Sequence, residues 1–451
     1  MQPAVPADPV PAPQPDGRRP AVAAMPPTAR SRSAPPQSAL SAAPTVIPHA
    51  RPPSGLDAVI IGAGLIGLAV AWRAAQRGLR VALADPEPGS GASYAAAGML
   101  APVTEAHYGE ERLLRLNLAS ARRYAAFAQE LEQVAGTPSG YTARGTLAVA
   151  FDQDDRTALG ELAAFHQSLG LESEPVDARE CRALEPLLSP QVQGGIHVAG
   201  DHQVDNRQLV AALLAAVGKA RIPLYRHPVT ELLVVHDTAV GVRLASGEAL
   251  YAERVVLAAG CRSGSLPGLP AGTLPSIRPV KGQILRLSVP PGAAPFLGRA
   301  VRGLVRGTQV YLVPREHGEL VVGATVEELG FDAQVTAGGV YELLRGAREL
   351  VPGISELPLT EVHAGLRPGT PDNAPVIGPS ELPGLVLATG HFRSGVLLAP
   401  VTADVVAEYL VTGQLPALAQ PFTAQRFGAA PRQRQARHPV PPRDARTGSW
   451  T

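Results

Sequence analysis

Asp57-Ala-Val-Ile-Ile61, followed by Gly62-Ala-Gly64-Leu65-Ile66-Gly67, is the stretch from which the rest of the chain is read. A short, β-branched apolar run bounded by glycine is the pattern of a buried parallel strand. Residues 68–76 have helical character and Gly78 stops the helix; residues 79–84 form a second strand that closes on Asp85. Together these make one βαβ unit. In such a unit the first glycine allows the tight turn, the second lets backbone approach a pyrophosphate, and the third lets helix and strand pack closely. The free N–H groups of the helix then face the phosphates. Asp85 lies 18 residues after Gly67, where an acid can hydrogen-bond a ribose hydroxyl. The unit predicts dinucleotide binding. The alternative is a tight turn in an ordinary α/β unit.

Outward from this unit, the chain has 451 residues, 45% of them hydrophobic, and a mean hydropathy of +0.06. That is enough apolar material for two or three domains with a sizeable core. Only two cysteines occur, Cys181 and Cys261, which excludes a disulfide scaffold and a cysteine-based metal site. The histidines show no metal-ligand spacing, so no metal is expected. The net charge of +1 is uneven. Residues 1–55 carry +3 and residues 428–451 carry +4, leaving about −6 on the part between them. Basic residues confined to the tails argue against a nucleic-acid partner. The longest nearly apolar run, 58–72, holds three glycines and is shorter than the ~20 residues a membrane span needs. No signal peptide precedes it. A soluble, cytoplasmic protein is expected.

Residues 1–55 contain 15 of the 46 prolines and no aromatic residue. This segment and the basic tail 428–451 read as disordered, with Met25 or later an alternative start. Between them, helical patterns cover 110–135, 154–169, 206–219, 336–350 and 402–410. Strand patterns cover 145–151, 195–198, 229–236, 241–245, 254–258, 283–287, 309–314, 319–322, 361–366 and 384–388. Both ends look α/β and the middle alternates hairpin-like strands. The fold class is therefore α/β: a doubly wound, Rossmann-like domain assembled from separated segments, with a mixed-sheet α+β domain inserted.

After the βαβ unit comes Ser93-Tyr-Ala-Ala-Ala-Gly-Met99. On composition alone it is equally an Ala-rich helix start or a place where backbone approaches something flat. This run resembles the glycine oxidase branch of the D-amino-acid oxidase family of FAD-dependent amine oxidases. Further motifs match in order: Val255-Val-Leu-Ala-Ala-Gly260, Arg278-Pro-Val-Lys-Gly-Gln283, Tyr311-Leu-Val-Pro-Arg315, Val322-Gly-Ala-Thr-Val-Glu-Glu-Leu-Gly-Phe-Asp332, Ala364-Gly-Leu-Arg-Pro-Gly-Thr-Pro-Asp-Asn373 and Gly390-His-Phe-Arg-Ser-Gly-Val-Leu-Leu-Ala-Pro400. The resemblance covers about 56–427.

It implies a FAD-binding domain from 56–105, 200–275 and 362–427, and a substrate domain from 106–199 and 276–361. FAD is expected without a covalent link, since no cysteine follows Gly390. The implied FAD contacts are Gly62, Gly64, Leu65, Ile66 and Gly67 on the phosphate loop, and Asp85 on the ribose. Ala92, Ser93, Ala97, Gly98 and Met99 fall between pyrophosphate and flavin, and Val229 on the adenine side. His391, Phe392, Arg393, Ser394, Gly395, Val396 and Leu397 fall against the isoalloxazine, where a helix N-terminus would stabilise negative charge on the reduced ring.

Tyr311, Arg367 and Arg393 are the implied substrate pocket. A guanidinium binds a carboxylate bidentately and so fixes the substrate Cα–H near the flavin. Each keeps a structural alternative: an ion pair for Arg367, neutralisation of a nearby acid for Arg393, and a core strand position for Tyr311. His391 is read as a flavin contact rather than a base, His363 as a satisfied half-buried histidine, and Lys281 as a solvated turn residue. Three departures from the family pattern stand out: Asp85 where many members have Glu, a bulky Tyr94, and Cys261, read as inert. The implied reaction is oxidation of glycine or a similar small amine, with oxygen as acceptor and a link to thiamine thiazole synthesis. A D-amino-acid or sarcosine oxidase, a quinone-linked dehydrogenase, and a flavin-binding module without turnover are the alternatives. A homo-oligomer is left open.

Overall fold

The computed structural model describes residues 55–428. The two tails read as disordered lie outside the described residues, except for Gly55 and Gly428. The opening strand, Leu56–Ile61, has its last four residues buried. It pairs in parallel with Val81–Ala84 on one side and with the second half of Ala249–Leu257 on the other. Leu385–Thr389 continues the parallel set, and Val376–Pro379 closes that edge antiparallel. Leu224–Tyr225 lies at the opposite edge.

Helices cover one face of this sheet. Leu68 and Trp72 from Leu65–Gln76 share a core with Leu213 from Asn206–Lys219, Val406 from Ala399–Thr412, and Phe127 and Leu131 from Glu111–Ala135. On the other face the hairpin Val229–Val235/Thr238–Leu244 pairs with the first half of Ala249–Leu257. Leu232 and Val242 pack there with Val255 and Leu257.

A second eight-stranded sheet has the order Leu359–Gly369, Arg278–Ser288, Glu319–Gly323, Thr308–Arg315, Ala300–Val305, Thr146–Ala150, Gly194–Val198, Glu174–Asp177. Its pairings are antiparallel apart from Ala300–Val305 with Thr146–Ala150. Ala337–Leu350 covers one face, where Leu343 and Leu350 pack on Leu285, Leu312 and Val322. On the other face Leu159 from Gln153–Ser168 packs with Ala148, Ala150, Ile196 and Val198, and Ile284, Val313 and Val321 meet Ala97 and Met99.

Three placements differ from the expectations. Glu111–Ala135, assigned to the substrate domain, buries its apolar stripe in the core of the first sheet. The boundary at 362 falls inside the strand Leu359–Gly369, which pairs along its length with Arg278–Ser288 in the second sheet. Lys281 is not in a solvated turn. It is fully buried within Arg278–Ser288, its Nζ 2.9 Å from a Glu327 carboxylate oxygen and donating to the Gln334 carbonyl at 3.1 Å. Pro279 and Gly282 suggested a turn, but the strand accommodates both beside Leu359–Gly369.

Candidate active site

A cavity of about 1670 Å³ lies where the two sheets face each other. It brings together Gly62, Gly64, Leu65, Ile66, Asp85, Ala92, Ser93, Ala97, Gly98, Met99, Val229, His391, Phe392, Arg393, Gly395 and Val396 with Tyr311 and Arg367. Gly67, Ser394 and Leu397 do not line it. The three glycines of the opening motif act differently. Gly62 has φ +99°, and a Cβ there would lie 2.5 Å from the Ala258 carbonyl oxygen. A Cβ on Gly67 would overlap the Gly62 carbonyl, so Gly67 serves the packing of helix on turn. Gly64 has φ −72°, open to any residue, and its nearest neighbour would be Ser93 Oγ at 3.2 Å.

The Asp85 carboxylate accepts from the Ala63 N–H at 2.6 Å and the Glu87 N–H at 2.8 Å. It thereby ties the end of the second strand to the phosphate loop. Ser93 Oγ accepts from the Leu65 N–H at 2.9 Å. The small-residue run is clamped from behind by residues that the sequence reading gave no role. Asn206 Nδ2 donates to the carbonyls of Ser93 and Tyr94, at 2.7 and 3.0 Å. Buried Arg315 donates to the carbonyls of Ala97 at 2.6 Å and Val204 at 3.1 Å. Burial pulls the Arg315 pKa down to about 10, so it remains charged at neutral pH.

At the far wall, Arg367 reaches across Arg278–Ser288. Its Nη1 donates to the carbonyls of Thr325 at 3.2 Å and Lys281 at 3.4 Å. It has no carboxylate partner among the described residues, which removes the structural ion pair. Gly282 makes room for it, because a Cβ there would lie 2.5 Å from the guanidinium carbon. Burial raises the pKa of the nearby Tyr311 phenol, and the Arg367 charge pulls the other way; the phenol is protonated and can donate.

Arg393 differs. It pairs with the Glu110 carboxylate, which also accepts from Asn373 Nδ2 at 3.0 Å. The acid-neutralising alternative is the one observed, and Arg393 is not a free anchor. Phe392 sits at φ +46° between Arg278 and Arg393, whose guanidinium carbons lie 5.7 and 5.6 Å from its ring centroid. His391 is buried, with Nε2 3.0 Å from the Thr402 hydroxyl, and burial pushes its pKa down to about 3. It is a neutral ring at working pH. His363 is half-buried, stacked edge-on against Tyr94 at 5.2 Å. Cys261 donates to the Leu366 carbonyl at 3.2 Å, and burial raises its thiol pKa to about 12; it is a poor nucleophile.

The family of FAD dependent oxidoreductases matches residues 57–409. The chain belongs to that family. This oxidoreductase is 34% identical over 356 residues to the glycine oxidase of Geobacillus kaustophilus, covering 78% of this chain and 92% of that one. The crystal structure of glycine oxidase from Geobacillus kaustophilus superposes with a TM-score of 0.76 at 33% identity, covering 82% of this chain and 98% of that one. The bifunctional protein ThiO/ThiG of Synechocystis sp. is 34% identical over 374 residues, covering 82% of this chain and 54% of that protein. The chain thus spans about half the length of the bifunctional relatives it matches.

The residues of this oxidoreductase fit the family's FAD. The helix Leu65–Gln76 has no acid in its first turn; Ser93 Oγ takes its Leu65 N–H, and the rest of its positive end faces the cavity at Gly64 and Ile66, where a pyrophosphate would lie. The cavity exceeds the roughly 300–1000 Å³ of an ordinary small-molecule site, leaving room for a dinucleotide and a small substrate. No helix among the described residues is long and apolar enough to cross a membrane.

Proposed function

We propose that this oxidoreductase oxidises glycine, or a similarly small amine bearing one carboxylate, to the imino acid. The observation that carries this reading is Arg367, a guanidinium on the cavity wall with carbonyl partners but no carboxylate among the described residues. A substrate carboxylate would complete it, and a planar fork fixes the direction of the Cα–H as well as the position of the charge. Tyr311, protonated and beside it, donates to the same carboxylate. FAD, held by the loop 62–67 and the run 92–99, would supply two-electron redox chemistry at the substrate carbon, with oxygen as the final acceptor and hydrogen peroxide as its product.

The chain's own residues orient and shield. Met99 and Ile284 line the apolar wall. Neutral His391 places no competing cation near the reacting amine. Arg315 and Asn206 hold the loop 93–98 that separates the phosphate end from the substrate end. The resemblance to proteins named glycine oxidase supports glycine as substrate, and the name of the bifunctional ThiO/ThiG relatives supports supply of an imine for a thiazole ring; the cytoplasm is the compartment this reading assigns.

The test is the visible spectrum of purified protein under anaerobic conditions, with glycine, sarcosine and D-alanine added separately and air admitted afterwards. Glycine is expected to bleach the flavin band fastest, with peroxide appearing on aeration. A yellow protein that none of the three bleaches would sink the substrate assignment. Bleaching without recovery in air would point to another acceptor. Arg367→Ala should keep the flavin band and lose bleaching by at least about a hundredfold, the scale of a lost charge-assisted pair.

A further inference from the structure

Arg367 is not the only guanidinium at the substrate end of the cavity. Arg302 stands directly opposite Tyr311 in the antiparallel register, so the two side chains share one face of the sheet, and both line the cavity. Arg302 Nη1 donates to Glu105 Oε1 at 2.6 Å and lies 3.7 Å from Met99 Sδ. Both partners are largely withdrawn from solvent, with side-chain exposures of 18% and 14%.

Glu105 is delivered on a rigid turn. The carboxylate of fully buried Asp201 accepts from the Val103 N–H at 3.1 Å, the Thr104 N–H at 2.7 Å and the Thr104 hydroxyl at 2.7 Å. The turn is therefore pinned on the residues immediately before Glu105.

The charges of this corner have a consequence for selectivity. Arg367 offers one uncompensated positive charge, while Arg302 is already compensated. A substrate with one carboxylate matches that arrangement. A second carboxylate would meet Glu105, a like charge in a partly desolvated site, and would reach Arg302 only by displacing it. We propose that Glu105 is a specificity-determining residue that masks Arg302 and so restricts the site to substrates with a single carboxylate. Arg302 is then a latent second carboxylate site. This rests on the reading of Arg367 as the carboxylate anchor.

The test uses the FAD-bound protein and two readouts. One is the ratio of kcat/KM for iminodiacetate, which repeats the N–CH2–carboxylate unit of glycine and adds a second carboxylate, to that for glycine. The other is calorimetric binding of malonate against acetate, which needs no turnover. Glu105→Gln, which keeps the size of the side chain and removes its charge, should raise both ratios by about tenfold or more, the scale of one hydrogen bond to a charged group. Glu105→Gln combined with Arg302→Met should return them to the wild-type values. Arg302→Met alone leaves Glu105 unpaired and should weaken malonate further relative to acetate. Unchanged ratios in Glu105→Gln, or a gain that survives loss of Arg302, would overturn the proposal. Acetate binding that is indifferent to Arg367→Ala would instead overturn the anchor reading, and the malonate-to-acetate ratios would still report on Glu105.

Discussion

At the scale of single residues, the opening motif separates into ligand-facing and packing glycines, and substitution tells them apart. Gly64 has an ordinary backbone conformation and open space beyond Ser93 Oγ. Gly64→Ala should change the stability of the FAD-free protein by no more than about 1 kcal/mol in either direction, while FAD binding is lost because the new methyl stands where backbone must approach the pyrophosphate. Gly67→Ala puts a methyl against the Gly62 carbonyl and should destabilise the FAD-free protein itself by about 1–3 kcal/mol. Melting of both variants without FAD, followed by a flavin titration, checks the pair. Equal losses of stability would remove the distinction. The sequence showed three glycines at the right spacing, but these different roles depend on which atoms come close in space.

At the scale of elements, the turn 102–106 and its clamp give a titratable signature. Burial raises the Asp201 pKa from 3.8 to about 6. The folded protein therefore favours the protonated form more than the unfolded chain does. The associated stability is present below about pH 4 and is lost as the pH rises through 6. Asp201→Asn lacks this titration. Between pH 4 and 7 the stability difference should move in favour of the variant by on the order of 3 kcal/mol, with most of the change complete by pH 6.5. Denaturant melts at several pH values check it, and a difference that stays flat would mean that Asp201 titrates normally.

Elements with one dominant period were legible in the sequence. The pattern over 206–219 coincides with the helix Asn206–Lys219, and that over 336–350 with Ala337–Leu350 capped by the Thr336 hydroxyl. Ala300–Val305 was not predicted as a strand, because Arg302 and Gly303 interrupt its apolar run. Its neighbours supply the reason: Arg302 faces the cavity, and Gly303 makes room for Leu350. Lys281 failed for the same kind of reason. A buried lysine inside a strand is readable only once Glu327, 46 positions along the chain, is known to meet it.

At the scale of the whole molecule, the cavity exists because segments far apart in sequence converge. Glu110 meets Arg393 across 283 positions, and Glu105 meets Arg302 across 197. The resemblance brought most of the lining residues into view, but such pairings are set by the approach of two sheets and leave no local pattern. Gly62, Asp85 and Ala258 line the cavity from the nucleotide sheet, and Ile284, Tyr311 and Arg367 from the other. A ligand that touches both walls and binds only the folded state stabilises it by about 2.7 kcal/mol at a hundredfold excess over Kd. Stripping FAD should therefore lower the Tm by roughly a few degrees, reversed by adding FAD in a concentration-dependent way and not reversed in Gly64→Ala. Hydrogen exchange distinguishes bridging from one-sided binding. Protection on adding FAD should appear both around Leu56–Ile61 and along Arg278–Ser288. Protection confined to the nucleotide sheet would mean that the second sheet holds its place without the ligand, so that the substrate wall is already formed before FAD arrives.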